Sequence, residues 1–235
     1  VAWSYAGKSF SQPAGLKEML RAGDLPAAIA WLAQNASNKD SRMLAKKLAP
    51  LMTGIDLQVI KVGQEYPEGF PAALASSYGV TSVNNNTGKV RIFLREPKAS
   101  DGLNGLTEET VLHEALHAAI LNRYGALSRR GAKVLYGNAA KMLPGDDAIL
   151  RIVKLWQEYG TYLAQKGLNT GKSPAWMTEP YKSVDELITY ALTNPEFQAW
   201  MKKTEFNKQG AWRRFVSAVR SFLGLDGSPP DTYLG

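Results

Sequence analysis

The sequence predicts an α+β fold: a helical N-terminal part, a small antiparallel β-sheet packed on a motif helix, and a helical C-terminal subdomain. Three observations predict it. Period-two alternation is confined to the stretch between Ile55 and Leu94, helical periodicity fills the chain on both sides, and an apolar helix-forming run follows directly after the strands. Strands and helices are segregated rather than interleaved, which favours α+β over a sheet built from βαβ units.

The elements follow in order. Leu16 to Ala22 reads as a helix ending near Gly23. Asp24 then caps Pro26 to Leu32, with proline early in the first turn. Asp40 or Ser41 opens a helix over Met43 to Leu48, which Pro50 stops. Ile55 to Val62 alternates like a half-buried strand. Glu65 to Ser77 is a loop punctuated by proline and glycine. Gly79–Val83 and Lys89–Leu94 are two strands joined as a hairpin through Asn84-Asn85-Asn86-Thr87-Gly88, because asparagine and glycine tolerate positive φ. Arg95 to Gly105 leads into a helix that Thr107 caps, with Glu108 and Glu109 in its first turn. Further helices are expected over Leu127–Met142, Asp147–Lys166, Ser183–Leu192 and Ala211–Leu223, the one before the last broken by Asn194-Pro195. The last sets Trp212, Phe215, Val216, Val219, Phe222 and Leu223 against Arg213, Arg214 and Arg220. The expected divisions are a helical segment over 1–50, the main domain over 51–225 and a flexible tail over 226–235.

Composition bounds the chemistry. The chain has 235 residues, 45% of them hydrophobic, enough for one sizeable domain. It has no cysteine, so disulfides, thiolate nucleophiles and cysteine-ligated metals are excluded. The net charge of +7 is partly local, with Lys202, Lys203, Lys208, Arg213, Arg214 and Arg220 near the C-terminal end. Such a patch can attract nucleic acid, but no recognition motif accompanies it, and a solvated helix face accounts for the charge. No apolar run is long enough for a membrane span. Val1-Ala2-Trp3-Ser4-Tyr5 has neither a basic region nor an initiator methionine, which predicts a piece of a larger polypeptide rather than a signal peptide.

The two histidines of the chain fall within five residues, His113-Glu114-Ala115-Leu116-His117, inside the apolar run Thr110–Leu121. At i and i+4 both imidazoles project from one helix face. Two ring nitrogens so placed can reach one metal ion at roughly 2.0–2.1 Å. Glu114 stands beside that axis, where a carboxylate can take the proton of an attacking water. A buried helix with hydrogen-bonded histidines is the bland alternative. A catalytic zinc usually takes three protein ligands. With histidine and cysteine exhausted, the third must be Asp or Glu, and H-E-x-x-H-x-x-G-x-x-H is excluded because Ala118-Ala119-Ile120-Leu121-Asn122-Arg123 follows His117. Glu186 heads an apolar helix and is the first candidate; Asp185, Glu179, Glu158 and Asp147 are its rivals. Ser183-x-x-Glu186 is equally a capping box, so on spacing alone ligand and cap stand as even alternatives.

H-E-x-x-H behind a hairpin strand, with a later helix Glu186-Leu187-Ile188-Thr189-Tyr190-Ala191-Leu192, resembles the zincin metallopeptidases of the glutamate-ligand group. The pattern is similar to anthrax lethal factor-like catalytic domains and to modules of bacterial toxins and large polyvalent phage proteins. The resemblance covers about Gly79 to Gln198, including Asn194-Pro195-Glu196-Phe197-Gln198, which resembles an ending of the phage-type modules. It implies a zincin-like fold, Glu186 as third zinc ligand beside His113 and His117, and Glu114 as general base. It also implies a tyrosine donor to the oxyanion, Tyr181 before Tyr190. Where such helices often carry a second acid one turn after the ligand, this chain has Tyr190.

The expected function is therefore zinc-dependent hydrolysis of peptide bonds. A protein or peptide substrate would pair as an added strand along Lys89–Leu94, taken as a sheet edge, with Lys89, Arg91 and Arg95 suited to acidic substrate residues. The setting would be a virion or infected bacterial cytoplasm if the phage likeness holds, or a target cell if the toxin likeness does. Two other classes compete: an inactive zincin-like structural or interaction module, for which Glu114 would have no use, and a basic nucleic-acid-binding module, which predicts steeply salt-dependent binding.

Overall fold

The computed structural model describes residues 14–61, 63–66, 77–84, 87–97, 104–125, 147–170, 173–206 and 209–222. The expected helix Leu127–Met142 and the tail 226–235 lie outside the described residues, as does the middle of the Asn84–Gly88 turn. The chain forms two compact units, Val1–Ser128 and Arg129–Gly235. Helices and a small sheet together make the fold class α+β. Among the described residues, no helix is long and apolar enough to cross a membrane.

The first unit opens with three helices: α1 (Ala14–Arg21), α2 (Leu25–Asn35) and α3 (Lys39–Leu48). Asp24 caps α2 as expected, accepting from the Ala27 amide. The cap of α3 is Asn38, not Asp40 or Ser41; its side chain accepts from the Ser41 amide at 2.7 Å. A polar run holds several cap-competent residues, and the sequence does not rank them. Pro50 does not simply stop the chain but sits within a 3₁₀ turn, Ala49–Leu51.

The sheet comprises β1 (Asp56–Ile60), β2 (Gly79–Val83) and β3 (Val90–Arg95). The hairpin of β2 and β3 forms as expected, with Gly88 at φ +70° and the Asn84 carbonyl accepting from the Gly88 amide. The sheet is not purely antiparallel, however. β1 pairs parallel to β3, Asp56 opposite Arg91 and Ile60 opposite Arg95. The strand order β1-β3-β2 puts β3 at the centre, so Lys89–Leu94 is not a sheet edge; among the described residues, β1 and β2 are the edges. Local alternation does not encode which strand β1 joins. Consecutive burial of Ile92, Phe93 and Leu94 is what a central strand covered on both faces requires. Lys89 and Arg91 both pair with Asp56 on β1, at 3.0 and 3.9 Å.

α4 (Glu108–Gly125) is the motif helix. It packs on β2 and β3 and against α3. Val111, Leu112, Ala115, Leu116, Ala118 and Ile120 are all buried, so the helix is apolar around most of its circumference, as an enclosed helix must be. The Thr107 hydroxyl accepts from the Thr110 amide at 3.1 Å, the expected cap. Gly105 ties the approach to this helix to the sheet. Its amide donates to the Arg95 carbonyl at 2.8 Å, and an added β-carbon would collide with the Tyr78 carbonyl oxygen and stand 2.5 Å from the Arg95 amide nitrogen. Backbone cannot move aside as a side chain can. Gly105→Ala is therefore expected to destabilise the protein by about 3 kcal/mol, read as a shift of the urea midpoint.

The second unit is built on α5 (Asp147–Gln165), whose Ile149, Ile152, Leu155, Tyr159 and Leu163 are buried at helical spacing. A short helix α6 (Ala175–Thr178) and a 3₁₀ turn (Glu179–Tyr181) precede α7 (Val184–Thr193). Asn194-Pro195 does more than break the chain. Asn194 ends α7 and caps α8 (Pro195–Lys203), accepting from the Phe197 amide at 2.7 Å. Asparagine, then proline at the first helical position, then Glu196 is a start signal as well as a stop. After the two-residue strands β4 (Glu205–Phe206) and β5 (Gln209–Gly210), α9 (Ala211–Phe222) packs its Phe215, Val216 and Val219 face onto α5. Arg214 grips Glu158 of α5 with two hydrogen bonds, 2.5 and 3.0 Å.

Candidate metal centre

The i, i+4 spacing on α4 does what it predicts. The Nε2 atoms of His113 and His117 face each other at 3.1 Å. Two nitrogens each about 2.0–2.1 Å from a tetrahedral zinc stand roughly 3.3 Å apart, so the pair is close to ligating geometry. His117 is buried and His113 half-buried. Desolvation, and then the neighbouring His117, hold His113 well below the ordinary imidazole pKa. It is thus neutral at pH 7, the form that can donate a lone pair to a metal.

Glu186 sits in the first turn of α7. Ser183 caps that helix, its hydroxyl accepting from the Glu186 amide at 3.0 Å. The cap engages the Glu186 backbone amide, so a capping role and a ligand role for this residue do not exclude each other. Among the described residues, His113, His117 and Glu186 are a group that could hold a metal ion. The rivals are otherwise placed. Glu158 is engaged by Arg214, and Glu179 pairs with Lys182 at 2.6 Å. Asp185 is buried in α7. The Asp147 side chain lies outside the described residues.

Glu114 is only 6% exposed. The Thr81 hydroxyl on β2 lies 2.7 Å from Glu114 Oε2 and 3.0 Å from the Glu114 carbonyl oxygen. Two residues earlier on the same strand, a β-carbon added to Gly79 would stand 2.7 Å from Glu114 Cγ. Strand β2 thus holds the carboxylate from two positions, Gly79 and Thr81. Nothing local in the sequence marks either residue, since their role comes from the packing of β2 on α4.

Tyr181 ends the 3₁₀ turn before α7. Its ring is 43% exposed and stacks on Trp156 at 5.7 Å, while Trp156 Nε1 donates to the Tyr181 carbonyl at 3.1 Å. A β-carbon on Gly160, within α5, would collide with Tyr181 Cε2. Glycine inside a helix costs about 1 kcal/mol relative to alanine, and the seat of this ring is what it provides. Tyr190, the alternative tyrosine, is fully buried and packs edge-on against Phe197, so its ring serves the core.

Compared with protein-family models, curated proteins and solved structures, the chain finds no significant match.

Proposed function

We propose that the protein is a zinc-dependent metallopeptidase of zincin-like fold. The observation that carries this reading is the donor set of His113 and His117 on α4 with Glu186 on α7, a group that could hold a metal ion, together with the buried carboxylate of Glu114 on α4. Two imidazoles and one carboxylate suit zinc, with a fourth position for water or substrate. A purely structural site would have no use for Glu114.

A zinc ion held there would polarise the scissile carbonyl and lower the pKa of water from 15.7 toward about 7. The protein's own groups then do the proton work. Glu114 takes the proton of the attacking water as the C–O bond forms, and returns it to the amine as the C–N bond breaks. Tyr181 donates from its hydroxyl to the developing oxyanion. An extended peptide would pair along β2, which is an edge strand and carries Gly79 and Thr81 beside Glu114.

Incubation of the zinc-loaded protein with a mixed peptide library, followed by mass spectrometry of the products, tests the reading. Cleavage that stops on chelation and returns with zinc is expected; intact peptides under every condition would sink it. Tyr181→Phe is expected to lower kcat about 10²-fold. Gly160→Ala, which unseats the ring, should reproduce that loss. Full activity in Tyr181→Phe would remove the tyrosine from the mechanism.

A further inference from the structure

We propose that Thr81 is the positioning residue of the general base, so that strand β2 sets the reactive geometry of Glu114. The proposal rests on the peptidase reading and adds to it a residue outside the motif.

Glu114 is on α4 and nearly buried, and a buried carboxylate must be hydrogen-bonded or it becomes costly to keep charged. Thr81 Oγ1 stands 2.7 Å from Oε2. A hydroxyl has one proton to give, and the charged oxygen, which is also the nearer of its two acceptors, takes it. The second contact, at 3.0 Å to the Glu114 carbonyl oxygen, keeps the threonine side chain over the same residue. Gly79, two residues earlier on the same strand face, has no β-carbon, and the Glu114 side chain lies in the space that one would occupy. One strand therefore bounds the carboxylate sterically at Gly79 and anchors one of its oxygens at Thr81. A freely rotating glutamate would lose time in unproductive rotamers; a small misplacement of a reacting group costs rate rather than binding.

The test compares wild type, Thr81→Val, Thr81→Ser, Glu114→Gln and the double variant T81V/E114Q. Valine keeps the shape of threonine without its hydroxyl; serine keeps the hydroxyl. Removing such a supporting contact typically lowers activity 10- to 100-fold. Thr81→Val is therefore expected to lose roughly that much in kcat with KM unchanged, Thr81→Ser to recover most of it, and zinc content to stay at the wild-type level. The double variant is expected to be no slower than Glu114→Gln, since the contact has nothing left to position. A stability cycle of Thr81→Val with Glu114→Ala on the metal-free proteins is the readout independent of catalysis, since alanine removes the acceptor that glutamine keeps, and non-additive urea midpoints are expected for these contacting residues. Wild-type kcat in Thr81→Val, or a Thr81→Ser as slow as Thr81→Val, overturns the positioning role while leaving the peptidase reading in place. Additive stability effects overturn the contact itself. An inactive wild type with the coupling intact overturns the peptidase reading, and with it any part for Thr81 in that reaction.

Discussion

Glu114→Gln is expected to lower peptide hydrolysis by about 10²- to 10⁴-fold while zinc remains bound. Glutamine has the size and shape of glutamate and still accepts from the Thr81 hydroxyl, so the 6% exposed site need not repack. What it loses is the ability to take a proton. The carboxylate is not a member of the donor group, which consists of His113, His117 and Glu186, so metal affinity should be close to unchanged. Parallel measurement of kcat and of bound zinc separates the two. Hydrolysis at the wild-type rate in this variant would remove Glu114 from the reaction.

The second large effect is expected at the metal itself. His117→Ala removes one of three protein donors. Structural zinc sites of four ligands bind with roughly 10–16 kcal/mol, so one ligand accounts for about 2.5–4 kcal/mol, a loss on the order of 10²- to 10³-fold in affinity. His117→Ala should then fail to hold zinc through dialysis and show no hydrolysis. Zinc binding to the folded state also raises the unfolding temperature, by mass action. That rise is expected in the wild type and absent in His117→Ala, a readout that needs no substrate. Equal zinc-induced stabilisation in both would mean that the ion sits elsewhere. Glu186→Gln should behave in the same direction, because an amide oxygen is a weaker donor than a carboxylate.

Much of this site is legible in the sequence because its determinants are local. The i, i+4 histidines, the apolar run around them and the Thr107 cap depend only on helix geometry, and α4 carries all three. Glu186 reads as one of two alternatives, cap or ligand: its backbone amide is capped by Ser183, and with the histidines it belongs to a group that could hold a metal ion. What escapes the sequence is set by packing at a distance. The parallel pairing of β1 with β3 is a non-local choice, which alternation along β1 does not record. That one pairing makes β2 rather than β3 the sheet edge, and so changes the strand on which a substrate would pair. Gly79 and Thr81 look like ordinary strand residues until β2 is laid against α4. Gly160 reads as a weak point in a helix until the Tyr181 ring is placed on it. The start of α8 is a different case, since Asn194-Pro195-Glu196 carries a local start signal that its more obvious role as a helix stop conceals.

The central claim is that His113, His117 and Glu186 hold one zinc ion. Inductively coupled plasma mass spectrometry on wild-type protein, dialysed against metal-free buffer beside Glu186→Gln, tests it most directly. Close to one zinc per wild-type chain and a clear loss in the variant are expected. No zinc in the wild type, even after the metal is added back to folded protein, would contradict it.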